Sequence, residues 1–316
     1  MAYDVVALGE LLIDFTPNGI SEQGNPLYEA NPGGAPCNVL SMLSRFGHKT
    51  AFIGKVGNDM FGRMLAGAIS ECGISTEGLY FDPDVHTTLA YVHKLANGDR
   101  DFSFYRNPGA DMMLREDEIS EALIAQTRIF HYGTLSMTHP GVAAATRRAI
   151  ALAEKHGILR SFDPNLRPPL WKSLDDARQA IRFGLAHCDV LKISDNEISW
   201  LTGEEDYSAG VAKLRTEFDI PLILVSMGPA GSRAYTKELM VEVPAYINPN
   251  TIETTGAGDT FCACVLHDLL ENGMDTFHAE RLESMLRAAN AAASIVTTRR
   301  GALRVMPTPE EIAAVI

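Results

Sequence analysis

The chain reads as an α/β protein: a largely parallel sheet with helices on both faces and a small β elaboration. Three observations carry this reading. Short apolar runs alternate with amphipathic segments over most of the chain, two segments interrupt the alternation, and the last third changes to a hairpin followed by long helices.

The apolar runs come first. "DVVAL" (4–8), "TAFIG" (50–54), "RIFHYG" (128–133), "ILRSFD" (158–163), "DVLKIS" (189–194) and "PLILVSMG" (221–228) have the continuous hydrophobicity of strands covered on both faces. Helical patterns lie between them near 36–47, 59–72, 139–157, 174–186, 196–202 and 208–218. "GSRAYTKELMVEVPAY" (231–246) reads as a hairpin, and long helices follow at 257–272 and 278–298. "TPEEI" supplies a capping-box start for a final helix. The interruptions fall at about 11–32 and 86–108. The second contains "TLAYVHKL", an Asn97-Gly98 turn and "DFSFY", the pattern of a β-hairpin. A hairpin has no place inside a doubly wound sheet. It would lie over the carboxyl ends of the strands, where such sheets bind ligands, and act as a lid.

The length of 316 residues admits about two domains. No linker divides the chain, so 1–316 is read as one domain with the lid built into it. The formal net charge of −13 argues against sequence-independent nucleic-acid binding. The five cysteines (37, 72, 188, 262 and 264) contain no C-x-x-C pair, so neither a disulfide framework nor a zinc site is expected. No leader pattern and no long apolar run is present, which predicts a cytoplasmic protein without membrane attachment.

Several segments carry chemistry. In "PGGAPCN", Gly33 and Gly34 allow close backbone approach just before a helix, and Asn38 in its first turn could bond a hydroxyl. A plain glycine turn would use the same residues. In "ETTGAGDTF", Gly256, Ala257 and Gly258 open a helix and expose its unpaired amides as an anion hole. Asp259 beside that hole is costly unless it takes a proton from an attacking hydroxyl. Asp14, and Arg106, Asn107 and Asp111 of "FYRNPGAD", are candidates for holding hydroxyls. Asp163, Asn165 and Arg167 follow one strand and Glu197 follows the next, so they converge on one sheet edge fit for phosphate or metal chemistry. The chain lacks a P-loop, a protein-kinase signature set, G-x-G-x-x-G, G-x-S-x-G and H-E-x-x-H. His131 and His139 are expected at a strand end and a helix start, not as ligands.

Together these segments resemble the ribokinase (phosphofructokinase-B) family of carbohydrate kinases, and within it the fructokinases. "PGGAPCN" and "ETTGAGDTF" resemble the family's two signatures. "GELLIDF", "FIGKVGNDMFG", "FYRNPGADM", "IFHYGTLS", "DPNLRPPLW" and "LKISDNEISWLTG" resemble fructokinase segments in order. The resemblance implies a three-layer α/β/α domain with a β-sheet lid that serves dimer contacts. It implies transfer of the ATP γ-phosphate to a sugar, here the 6-hydroxyl of D-fructose, with 2-keto-3-deoxygluconate, ribose or a nucleoside as other acceptors. A sugar-binding module without catalysis is the rival of another class. Asp259 would be the base and Gly256, Ala257 and Gly258 the anion hole. Asp14, Gly33, Gly34, Asn38 and Arg106 would hold the sugar. Asn165, Ser194, Gly228, Gly231 and Asn290 would serve ATP, and Glu197 would hold Mg²⁺ through water. Glu253 and Gly301 would belong to a K⁺ site. The sequence departs from the family pattern twice: Glu253 replaces an Asp linked to monovalent-cation activation, and Ser194 opens a motif that usually begins with Asn.

Overall fold

A computed structural model describes the backbone of residues 1–94 and 100–316 and the side chains of 1–92 and 103–316. The first half contains β1 (Val5–Leu8), β2 (Leu12–Ile20), β3 (Pro26–Gly33), α1 (Ala35–Arg45), β4 (Thr50–Gly57), α2 (Met60–Glu71), β5 (Ile74–Asp82), β6 (Leu89–Lys94), β7 (Arg100–Tyr105), α3 (Glu121–Ala125), β8 (Ile129–Gly133) and α4 (Pro140–Lys155). The second half contains β9 (Leu159–Asp163), α5 (Leu174–Ala186), β10 (Val190–Ser194), α6 (Asp195–Thr202), α7 (Tyr207–Glu217), β11 (Leu222–Ser226), β12 (Ser232–Tyr235), β13 (Met240–Val243), α8 (Ala257–Asn272), α9 (Ala279–Val296) and α10 (Pro309–Ala313).

Nine strands form the main sheet in the order β13-β12-β11-β10-β9-β8-β1-β4-β5. Pairings from β5 to β11 are parallel, and β12 and β13 are added antiparallel at one edge. The central strands are buried on both faces, which explains their continuous apolar runs. Alternate strand residues feed two cores. Val5 and Ala7 pack with α1, α8 and α9, whereas Val6 and Leu8 pack with α4 and α5. This is the three-layer α/β/α arrangement.

The two interrupting segments come together as a second sheet, in the order β3-β2-β6-β7. Its register assigns its faces. Asp14 stands opposite Asn31 and Ala90, and Ala90 opposite Phe104. Phe15 stands opposite Tyr91, and with Tyr28 and Tyr105 these side chains form an aromatic cluster on the other face. The Asn97-Gly98 turn lies outside the described residues.

The sequence pattern misses β5. Its burial recurs every fourth residue and not every second, and Ser, Thr and Glu interrupt the apolar run. The five cysteines are free, and Cys262 and Cys264 are buried along α8 as expected of small thiols. His131 sits within β8 against Ser161 and is buried, so its imidazole stays neutral, its pKa pushed down to about 3 by burial. Among the described residues, no helix is long and apolar enough to cross a membrane.

Candidate active site

The carboxyl ends of β1, β9, β10 and β11, the first turns of α1 and α8, and one face of the small sheet enclose a cavity of about 710 Å³. That size suits a small-molecule site of ~300–1,000 Å³. Five carboxylates (Glu10, Asp14, Glu197, Glu253 and Asp259) line it alongside two cations, Arg167 and Lys192.

The glycines of "PGGAPCN" are explained by what they touch. A Cβ on Gly33 would fall 2.3 Å from the Asp14 carboxylate. One on Gly34, whose φ is +132°, would fall 2.3 Å from the Glu10 carbonyl oxygen. The chain therefore turns from β3 into α1 directly beneath two acids. The Ala35 amide in the first turn of α1 donates to Glu10 Oε1 (2.8 Å). Burial raises the Glu10 carboxyl to about 7, against the lowering effect of that bond. Burial likewise raises Asp14 to about 7, with Arg167 pulling it down and Glu253 and Asp259 pushing it further up. Asn38 donates its amide to Asp259 Oδ2 (2.7 Å), and its own Oδ1 is buried without a partner among the described residues. A buried lone acceptor at a cavity wall is the polar group a ligand hydroxyl would satisfy.

The N-terminus of α8 faces the same space. Gly256 takes φ +78°, and its Cα abuts Ala302 too closely for a side chain. The helix ladder begins with the Thr260 amide donating to Gly256 O (2.8 Å). The Gly258 and Asp259 amides precede that ladder, at the positive end of the helix dipole. Ala257 departs from the anion-hole expectation: its N–H turns back to Thr254 O (3.2 Å). Burial raises the Asp259 carboxyl above its usual value, while Asn38, Lys192 and Arg167 each lower it.

Lys192 was not singled out from the sequence. Its ammonium donates to Asp163 Oδ2 (2.9 Å), and both residues are buried. It also lies 3.1 Å from where a Cβ on Gly258 would be, so a cation sits directly behind the α8 N-terminus. Asp163 and Glu197 raise the Lys192 pKa even though burial opposes, so it stays charged. Asp163 itself is raised to about 6, burial outweighing its lysine. A signal was available: Lys192 interrupts an apolar run that must be buried on both faces, so it requires a buried acid nearby.

Glu197 ties two loops together. Oε1 accepts the Leu166 amide (2.7 Å), and Oε2 accepts the Ser194 amide (2.9 Å) and hydroxyl (2.8 Å). Ser194 thus opens α6 as a capping-box residue. Asn165 takes φ +46°, a left-handed conformation that Asn tolerates, and its amide donates to Asp163 Oδ1 (3.2 Å). Glu253 Oε1 accepts the Gly301 amide (2.8 Å), which joins those two residues.

Seven expected residues lie outside this cavity wall: Gly33, Ala257 and Gly301, which adjoin it, and Arg106, Asn290, Gly228 and Gly231. The buried Arg106 guanidinium is committed to Asp111 (2.8 Å), Thr138 Oγ1 (2.8 Å) and Leu135 O (3.0 Å), and it borders a second cavity under the small sheet. Asp111 supplies the opposing charge that holds this buried guanidinium. Asn290 donates its side-chain N–H groups to Val243 O and Pro244 O and accepts the Ser232 hydroxyl at Oδ1, clamping α9 to the sheet edge. Gly228 and Gly231 sit in the turn just beyond Ser226, which does line the cavity. Both take positive φ, and a Cβ on Gly231 would strike Val243 O.

The arrangement offers an acid beside open amides, a fixed cation behind them and a wall of hydroxyl-binding groups. Known proteins share the scaffold. The family model described as pfkB family carbohydrate kinase matches residues 2–309. The chain is 39% identical over 314 residues to probable fructokinase-4 of Arabidopsis thaliana, covering 99% of this chain and 96% of that protein. A solved fructokinase with bound ATP from Xylella fastidiosa matches with a TM-score of 0.91 at 30% identity, covering 100% of this chain and 98% of that one. A fructokinase double mutant from Vibrio cholerae O395, bound to fructose, ADP and potassium ion, matches with a TM-score of 0.87 at 27% identity, covering 99% and 98%. Matched by the family model over residues 2–309 and by a relative over nearly its whole length, the chain belongs to the pfkB family of carbohydrate kinases.

Proposed function

We propose that the protein is an ATP-dependent fructokinase that moves the γ-phosphoryl group of ATP to the 6-hydroxyl of D-fructose, giving fructose 6-phosphate and ADP. The observation that carries this reading is Asp259, held by Asn38 at the amide-rich start of α8. The fructokinases among its relatives support the choice of sugar.

Asp259 accepts the proton of the sugar hydroxyl, the oxygen–phosphorus bond forms, and the bond from phosphorus to the β,γ-bridging oxygen breaks to release ADP. Charge building on the transferred group is met by the Gly258 amide and the Lys192 ammonium, which are fixed before reaction. Asp14 and the unpartnered Asn38 oxygen accept sugar hydroxyls, with Gly33 and Gly34 permitting close approach. Asn165, Ser194, Gly228 and Gly231 serve the nucleotide side, with Arg167 the exposed cation at the rim.

An anionic nucleotide fits a carboxylate-rich cavity only with added cations. The donors there are hard oxygens, the set Mg²⁺ prefers, and Glu197 would hold it through water. When bound, Mg²⁺ neutralises phosphate charge. Glu253 and Gly301, already joined, form the place for K⁺, and the Gly301 bond on Glu253 predicts weak stimulation by it. The exposed aromatic face of the small sheet would pair two copies of the chain.

The test is an ADP-release assay on fructose, ribose, 2-keto-3-deoxygluconate and adenosine, with and without K⁺. Turnover highest on fructose is expected. Faster turnover on another acceptor would reassign the substrate, and fructose binding without ADP release would make the chain a binding module.

A further inference from the structure

The N-terminal ends of α1 and α8 hold the Asn38–Asp259 contact. The far end of α8 carries a separate cluster. His267 Nδ1 lies 2.8 Å from His48 Nε2, and Glu271 Oε1 lies 4.0 Å from that same His48 nitrogen. One ligand atom from each residue falls within 4.8 Å of the other two. His267 and Glu271 are one helical turn apart on α8 and share a face, while His48 lies in the turn between α1 and β4.

The rings are held in place. His267 stacks on Phe46 with centroids 4.0 Å apart and planes 4° from parallel. The other nitrogen of His48 faces Asp4 at 3.9 Å, the position from which a carboxylate orients a ligating imidazole. The His48 side chain is 9% exposed and Glu271 is 58% exposed, so the cluster is rigid on one side and open to solvent on the other. Arg128 stands nearby as a cation, but it is engaged with Asp4 and Leu270 O.

We propose that His48, His267 and Glu271 form a binding site for a borderline divalent transition ion such as Zn²⁺, clipping the C-terminal end of α8 to the α1–β4 turn. Metal–ligand bonds of ~2.0–2.1 Å in tetrahedral geometry require the two nitrogens to separate by roughly half an ångström, and the exposed glutamate closes by rotation. Water would take the fourth position. Nitrogen-rich ligation excludes Mg²⁺, which prefers oxygen, so this site and the nucleotide site do not compete for one ion. An ion held by the folded chain alone raises its stability.

The experiment uses untagged full-length protein titrated with ZnCl₂, with MgCl₂ as control, reading thermal midpoint and Zn²⁺ stoichiometry by equilibrium dialysis. One Zn²⁺ per chain and a rise of about 3–6 °C at a hundredfold excess over Kd are expected. His267→Ala should abolish the shift, and Glu271→Gln, at an exposed position, should weaken binding at least about tenfold. With Mg²⁺ present and Zn²⁺ absent, kcat should be unchanged in both, which certifies folding. A Co²⁺-loaded sample should show the intense visible bands of tetrahedral ligation in the wild type and lose them in His267→Ala. No shift with Zn²⁺, or a shift undiminished in either variant, overturns the site.

Discussion

The two sheets differ in what they do with charge. In the nine-stranded sheet the central strands are buried on both faces, yet their carboxyl edge and the start of α8 hold Glu10, Asp163, Lys192 and Asp259 in defined contacts. The four-stranded sheet exposes the far ends of β2 and β3 and gathers Phe15, Tyr28, Tyr91 and Tyr105 on the face away from Asp14. Among the described residues its acid at the cavity is Asp14, near the start of β2. On the proposed function this comparison becomes a division of labour: the transition-state groups stand at the edge of the large sheet and on α8, and Asp14 brings the small sheet to the sugar. Substitutions on the first should act on kcat, and on the second on KM.

The largest effect is expected at Asp259. Asp259→Asn keeps the shape and the Asn38 contact but removes the proton acceptor, so kcat should fall by ~10²–10⁴-fold. Fructose KM and the thermal midpoint should change little. A variant with kcat near normal would end the assignment of Asp259 as base, and with it the division between the sheets.

Lys192 comes next. Lys192→Met removes a fixed cation at the developing charge, and kcat should fall about 10²-fold. It also strands buried Asp163, so stability should fall by about 3–5 kcal/mol. The double variant Lys192→Met/Asp163→Leu separates the two effects. Stability should return, read by denaturant unfolding, while kcat stays low. Recovery of kcat with stability would reduce Lys192 to a structural residue.

Much of this architecture was legible beforehand, for reasons that also explain the omissions. The central strands were readable because burial on both faces leaves unbroken apolar runs, and α8 because Gly256 and Gly258 have no purpose in an ordinary helix start. The edge strand β5 was hidden because its mixed surface follows no two-residue period. Glu10 was passed over beside Asp14, although it takes the Ala35 amide and shares the cavity. Arg106 was read as reaching the sugar from the lid, and its ion pair with Asp111 was not legible in the sequence. His48 and His267 stand 219 residues apart, and no local pattern joins them.

Asp14 should act on the other side of the comparison. Asp14→Asn should raise fructose KM by about 10–100-fold, the cost of one charged hydrogen bond, with kcat lowered far less. The raised Asp14 and Glu10 carboxyls fix the pH behaviour. Below about pH 7 the folded protein holds their protons, so kcat/KM for fructose should climb as pH rises toward 7 and then level. The sign for stability is opposite. The folded state binds more protons than the unfolded chain between the ordinary carboxylate range and 7, so stability contributed by these groups declines as pH rises through that window. Asp14→Asn should therefore be more stable than wild type at pH 8 and no more stable at pH 4. Thermal melts at the two pH values decide it, and a gain at pH 4 alone would contradict the burial of this acid.

The smallest effect is expected on the aromatic face. Phe15 stacks on Tyr91 with centroids 4.7 Å apart, and Tyr91 meets Tyr28 and Tyr105 edge-on at 5.4 Å. Tyr105 is 65% exposed, and its side chain belongs to the face turned away from Asp14. Tyr105→Ser should thus leave folding and kcat within about twofold, as surface changes usually do. If the face pairs two copies, the same substitution should shift the dimer–monomer balance toward monomer in analytical ultracentrifugation. Fructose KM should then rise a few-fold at low protein concentration and recover at high concentration, because a partner that steadies the small sheet also steadies Asp14 at the root of β2. A KM that shifts equally at every concentration would place the effect within one chain, and an unchanged sedimentation profile would remove the aromatic face as a contact between copies.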